Sequence, residues 1–238
     1  MVVAYQFNTV TNVNDNAVEV YVSLKVMAIG AGFKNGFGIE LPIENDAVSS
    51  VTGDFSLTQN LINLDSRNME SSQSNAVIVF FDNAFDLLPH PGDGTGVNTR
   101  NGAPYVEPQK IDFLVSFAYP INVANLGQAP FNPFIFIKGE RGREVHMKNY
   151  TPTDLADVSM FGTGQDASVP STGYYYKSSN NLPWAINIPS GFDYPIEKSA
   201  IIDAYNYFGQ WAESGGTNYP DWYTNDAGNQ NTNVIYAP

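Results

Sequence analysis

Between Val18 and Ala28 apolar and polar side chains alternate without interruption. Val18, Val20, Val22, Leu24 and Val26 share one face, and Glu19, Tyr21, Ser23 and Lys25 share the other. Strict period-2 patterning of this kind specifies a half-buried β-strand. The run from Val2 to Phe7 alternates in the same way. Between the two runs, Asn12 to Asn16 (Asn-Val-Asn-Asp-Asn) supplies the turn formers, and the pair reads as a β-hairpin.

More strand signals follow. Gly30, Gly32, Gly36 and Gly38 punctuate the stretch from Ala28 to Pro42, which predicts a bend and bulge opening into a strand. A phosphate cradle needs GxxxxGK[ST] or GxGxxG running into a helix, and neither is present. Ala76 to Phe81 is a continuous apolar run suited to a strand buried on both faces. Asp82 to Leu88 predicts one helical turn, and His90 to Pro108 a long Gly/Pro/Asn loop of the length that usually carries function. Asp112 to Tyr119, Phe131 to Ile137 and Glu144 to Met147 supply further strands. Thr151 to Val158 reads as a loop with a helical turn, in which Thr153 caps the amides of Leu155 and Ala156.

One long helix is predicted, from Pro195 to Ser214. Ile196, Ala200, Ile201, Ala204, Tyr205, Phe208, Trp211 and Ala212 recur at helical spacing, Pro195 suits the first turn, and Gly215-Gly216 ends it. No internal repeat and no linker divides the chain. The expected fold is mainly β: a single domain over residues 1–238, an antiparallel, jelly-roll-like β-sandwich with one packed C-terminal α-helix.

Charge and composition narrow the function classes. The 24 acidic and 11 basic residues leave a net charge of −13, and the densest basic stretch runs only from Lys138 to Arg143. That balance argues against nucleic acid and anionic lipid surfaces, while leaving divalent cations and neutral glycans open. Charged residues make up 15% of the chain, against roughly 25% in an average globular protein. Asn, Ser, Thr and Gly take up the surface instead, a mixture associated with exported β proteins. There are no cysteines, which removes thiol nucleophiles, disulfides and cysteine-ligated metals. The two histidines, His90 and His146, fall in no HExxH spacing. No apolar stretch reaches the ~18 residues of a transmembrane helix. Met1 leads into alternating residues without a basic leader, so the chain is expected to be a domain trimmed from a longer precursor.

Three groups of residues are candidates for chemistry. Asp154, Asp157 and Asp166, with the Thr151 and Thr153 hydroxyls, offer oxygen ligands for calcium, although the spacing does not match DxDxDG. The bland alternative is helix caps and solvated acids. Tyr174, Tyr176, Trp222 and Tyr223 are candidates for a sugar-stacking platform, because aromatic faces suit the C–H-rich side of a pyranose. The competing reading sends alternate tyrosines of a strand into the core, with Trp184 and Trp211 filling the helix–sheet interface. A carbohydrate hydrolase would need two carboxyls about 5–10 Å apart, drawn from Asp82, Asp86, Asp154, Asp157 or Glu144. No GxSxG elbow is present.

Several segments occur together in a recognisable order: Gly36-Phe37-Gly38-Ile39-Glu40-Leu41-Pro42, Asn132-Pro133-Phe134-Ile135, Arg143-Glu144-Val145-His146-Met147 and Pro152-Thr153-Asp154-Leu155-Ala156-Asp157. Phe161-Gly162-Thr163, Tyr176-Lys177, Asn181-Leu182-Pro183-Trp184-Ala185-Ile186, Tyr194-Pro195-Ile196-Glu197 and Asp221-Trp222-Tyr223 follow. Over residues 18 to 223 this set resembles the LruC domain, a family of unknown function in exported proteins of Gram-negative bacteria. The resemblance implies an exported protein, outer-membrane-associated, at the cell surface or in the periplasm, often lipid-anchored, and it assigns no catalytic residues. The expected role is a non-enzymatic adhesion or glycan-binding module stabilised by calcium, with glycans or other envelope proteins as partners. The alternatives are a carboxylate-pair hydrolase and a structural module for envelope assembly.

Overall fold

The computed structural model describes residues 1–238. Strands β1 (Val2–Thr11) and β2 (Asn16–Ala28) form the expected antiparallel hairpin. In its turn Asp15 takes a positive φ of 56°, and the Asn12 side chain accepts the amides of Asn14 and Asn16. The second sheet begins with β3 (Gly36–Glu44), and β4 (Val48–Gly53) returns to the first. Next come β5 (Asn75–Phe81), β6 (Lys110–Asn122), β7 (Asn132–Phe136) and β8 (Glu144–His146). One sheet has the order β1-β2-β6-β4 and the other β5-β3-β7-β8, with antiparallel pairing throughout.

The two sheets pack face to face over one apolar core. Val22 and Leu24 of β2, Ile39 and Leu41 of β3, Ile78 and Phe80 of β5, and Phe113 and Val115 of β6 are all buried in it. Each such side chain contributes about 1.5–3 kcal/mol on leaving water. The Phe80 and Phe113 rings meet across the sandwich at 4.6 Å. The apolar run in β5 is buried on both faces, as its unbroken composition requires: Val77 and Val79 point away from the core and join Phe134 and Phe136 beneath Leu57, Leu61 and Ile62. The second sheet therefore has a covered outer face.

The C-terminal region departs from expectation. In place of one helix from Pro195 to Ser214 there are two short ones, α2 (Ile201–Ala204) and α3 (Phe208–Glu213), after an isolated turn α1 (Val123–Leu126). Tyr205 breaks the helix with extended dihedrals (φ −126°, ψ 107°) and bridges Gln230, while Pro195 bridges Ile235. The periodic side chains instead wrap a separate cluster of Ala204, Tyr205, Phe208, Trp222 and Ile235. Tertiary packing of Tyr205 against Phe192 and Trp222, at 5.3 and 5.1 Å, outweighs the weak local preference for a continuous helix.

Candidate functional site

The outer face of the second sheet is built on two glycines. Gly36 and Gly38 of β3 lie opposite Phe136 and Phe134 of β7, and a Cβ at either glycine would collide with the ring. Without side chains there, the two rings lie across the strand. The Arg141 guanidinium stacks on them, 4.9 Å from the Phe134 centroid and 5.6 Å from that of Phe136. It forms ion pairs with Glu70 and Glu144, both buried.

His146 continues the layer, sandwiched between Phe134 and Tyr176 at 5.0 Å from each. Its Nε2 lies 2.9 Å from Glu144 and its Nδ1 2.6 Å from the Asn132 side-chain oxygen. The Asn132 amide donates to Glu40 at 2.6 Å, and Asn75 donates to the other Glu40 oxygen at 2.9 Å. Burial alone would raise the Glu144 carboxyl, but hydrogen bonding to His146 and the charge of Arg141 hold it below its ordinary value. Glu40 moves the other way, because burial outweighs its two amide donors. Four of the segments that carry the family resemblance, around Gly36, Asn132, Arg143 and Thr153, supply most of this layer. They build a buried, internally paired network.

Beside β8 this layer borders a cleft of about 240 Å³. Tyr176 and Glu144 lie buried in its lining; Val145, Ala156, Met160, Phe161 and Asp166 are half-buried; Asp157 and Trp184 reach the surface. Asp166 accepts the Trp184 indole N–H at 2.8 Å and the Gly162 amide at 2.9 Å, which fixes the indole at the rim. Tyr176 holds a positive φ of 54°, and its buried hydroxyl has no hydrogen-bond partner. Burial pushes that phenol far above its usual range. Burial raises Asp166, but the Gly162 amide, Trp184 and Ser168 together hold its carboxyl low. Asp157 is held low by the Ser159 hydroxyl and amide.

Of the residues singled out from sequence, Glu144, Asp157, Asp166 and Tyr176 meet at this cleft. Asp154 does not: its carboxylate accepts the Ser74 amide at 2.6 Å. The three aspartates thus serve separate turns, and no three His, Asp or Glu side chains converge to hold a cation. Tyr174 lies on no strand; it is exposed, with the Lys177 ammonium 4.3 Å above its ring. Trp222 is only 2% exposed, enclosed by Tyr205, Phe208 and Trp211, and Tyr223 packs against its edge. Neither Tyr174 nor Trp222 forms a platform with Tyr176. The expected tryptophan roles are exchanged: Trp184 stands 41% exposed at the cleft, and Trp222 fills the C-terminal core. As expected, the Thr153 hydroxyl oxygen accepts the Leu155 amide, at 3.4 Å; the Ala156 amide goes instead to the Thr153 backbone carbonyl, and the hydroxyl proton is donated to Glu144.

Asp82 is buried and accepts the amides of Thr58 and Gln59 at 2.8 Å each, while Asp86 is bound by Asn83 and Thr58. The loop from His90 to Pro108 is pinned by the Ile29–Val97 bridge and by Asn98, whose side chain bonds Met27 and Val106. Met160, Phe161 and Trp184 were not among the candidate site residues. The available signal was that Phe161 and Trp184 fall within segments that carry the family resemblance.

A family model described as a domain of unknown function, DUF4842, matches residues 15–223. No curated protein matches the chain. Among solved structures, a Bacteroides ovatus protein assigned as a lipoprotein superimposes with a TM-score of 0.69. The alignment is 17% identical and covers 99% of this chain and 68% of the other; the likeness is one of fold.

Proposed function

The chain belongs to the DUF4842 family, and we propose that it is a non-enzymatic module of an exported envelope protein that holds a glycan in the cleft beside Tyr176. The observation that carries this reading is the pinned indole of Trp184. Its Nε1 is tied to Asp166, and nearly half of the side chain stands in solvent, so one apolar face is held ready at the rim. Such a face suits the C–H side of a pyranose. Asp157, whose Oδ2 carries no hydrogen bond, keeps lone pairs for a ligand hydroxyl, and Tyr176 lines the inner wall.

Hydrolysis is less well supported, because glycoside cleavage needs one carboxyl held protonated as the acid. Every carboxyl lining the cleft, Glu144, Asp157 and Asp166, is shifted in the opposite direction. Export is favoured by the sparse charge and by the lipoprotein assignment of the Bacteroides ovatus protein. The LruC-like motifs span residues 18–223 and the DUF4842 match 15–223, and we take both to describe the same domain.

A glycan array on the wild-type chain tests the proposal, run once with calcium and once with EDTA. Binding that disappears in Trp184→Ala and survives in Tyr174→Ala, outside the cleft, is the expected result. Dependence on calcium would restore a cation to the site. An empty array under both conditions overturns the glycan reading, and a concentration-dependent oligomer would then favour envelope assembly.

A further inference from the structure

We propose that Thr153 and Gln73 condense into an intramolecular ester that staples the second sheet across its outer face. The proposal is independent of the glycan reading. Gln73 lies just ahead of β5, and Thr153 lies beyond β8, the two edge strands of that sheet. Their side chains nevertheless meet above β3 and β7, with the Thr153 hydroxyl oxygen 3.4 Å from the Gln73 carboxamide nitrogen. Both residues are buried, at 4% and 8% exposure.

Each group that acyl transfer requires is in place around this contact. The Thr153 hydroxyl donates to Glu144 Oε1 at 2.5 Å, so a base already holds the proton that must leave. Arg141 ion-pairs with Glu144 and also reaches Thr153 Oγ1 at 3.2 Å. The Gln73 carbonyl oxygen accepts the Asp154 amide at 3.1 Å, a backbone donor aimed where negative charge would develop. On its other side the carboxamide nitrogen donates to Glu70 at 2.7 Å, which fixes the orientation of the amide.

In the reaction, Thr153 Oγ1 attacks Gln73 Cδ while Glu144 takes the hydroxyl proton. The Cδ–Oγ1 bond forms and the Cδ–N bond breaks. Glu144 returns the proton to the departing nitrogen, which leaves as ammonia. Atoms balance without oxidant, reductant or cofactor, and the chain becomes lighter by one ammonia, about 17 Da. Exchange of an amide for an ester is unfavourable in open water. Here the buried site excludes the water that would hydrolyse the ester, and ammonia escapes to solvent as ammonium. The event occurs once per molecule, so the chain remains non-enzymatic toward other substrates.

Intact-mass measurement of the purified chain tests this directly. The expected wild-type mass is about 17 Da below that of the sequence, with Thr153→Val and Glu144→Gln both at full mass. Alkaline hydroxylamine should open the bond. A digest of the wild-type protein should yield one branched peptide joining the Gln73 and Thr153 segments, and this requires no variant to fold. A wild-type chain at full mass overturns the proposal. So does a mass deficit that persists in Thr153→Val, or one that maps in the digest to an Asn-Gly step such as Asn35-Gly36.

Discussion

Gly36 sits so close beneath Phe136 that a Cβ added to it would fall 1.9 Å from the ring. The glycine is there to let an aromatic ring lie flat over β3, and it needs no unusual backbone angle to do so. Gly36→Ala must therefore displace Phe136 and, with it, the Arg141 guanidinium stacked above. We expect a loss at or above the upper end of the ~1–3 kcal/mol typical of overpacking, read from urea midpoints. Gly209→Ala is the control: it lies in α3 with nothing within 4 Å of its Cβ position, and it should gain about 0.5–1 kcal/mol.

Arg141 is the one cation between Glu70 and Glu144 in a layer from which water is excluded. Arg141→Met would keep contact with Phe134 and Phe136 but leave two carboxylates buried without a counter-charge. The expected cost is about 3–5 kcal/mol in chemical denaturation at pH 7. Arg141→Lys should recover little, since a single ammonium cannot span two carboxylates and stack on two rings together. A Lys variant of wild-type stability would mean that charge alone, without the planar fork, holds the layer.

The parts of this architecture legible from sequence are those whose information is local. The β2 alternation from Val18 to Ala28 marks its own buried face, and the unbroken apolar run in β5 signals burial on both sides. β4 was not legible: Val48–Gly53 carries no sustained alternation and owes its strand to pairing with β6. The long helix failed because its periodic residues are consistent with either a helix or a folded-back cluster. The choice rests on Tyr205 meeting Gln230, a contact between distant segments. The same applies to the site. Glu40, Glu70, Glu144 and His146 look like unrelated polar residues until β3, β7 and β8 are aligned, and Trp184 joins Asp166 only through the fold.

Asp166 gives the stability a defined pH signature. Its carboxyl is lower in the folded chain than in the unfolded one, so its contribution is present above the unfolded carboxylate value and disappears as pH falls through the folded one. Asp166→Asn should lose about 1–2 kcal/mol at pH 7, the worth of hydrogen bonds to a charged acceptor. The two unfolding curves should then converge as pH falls below the ordinary aspartate range. Glu40 has the opposite sign: its raised carboxyl contributes fully below the unfolded value, and that contribution is lost as pH rises through the folded one. A constant difference between Asp166→Asn and wild type across pH 3–7 would show that the carboxylate charge is immaterial.

Residues 224–238 lie beyond the family match, yet they close the C-terminal cluster. Ile235 packs into it, Gln230 bridges Tyr205, and the Asn231 amide donates to the Ala204 carbonyl at 2.8 Å. This cluster shares no buried residue with the sandwich core. Deletion of residues 224–238 should therefore release it selectively. Trp222 emission should shift to the red, and amides between Phe192 and Trp222 should exchange rapidly, while those of β2 and β5 keep their protection. Hydrogen exchange of the intact chain should show the same order, with the cluster opening before the sheets. Simultaneous loss of protection in β2 and β5 on truncation would mean that the cluster and the sandwich fold as one cooperative unit, linked through the Glu197 carboxylate on the Ala31 amide.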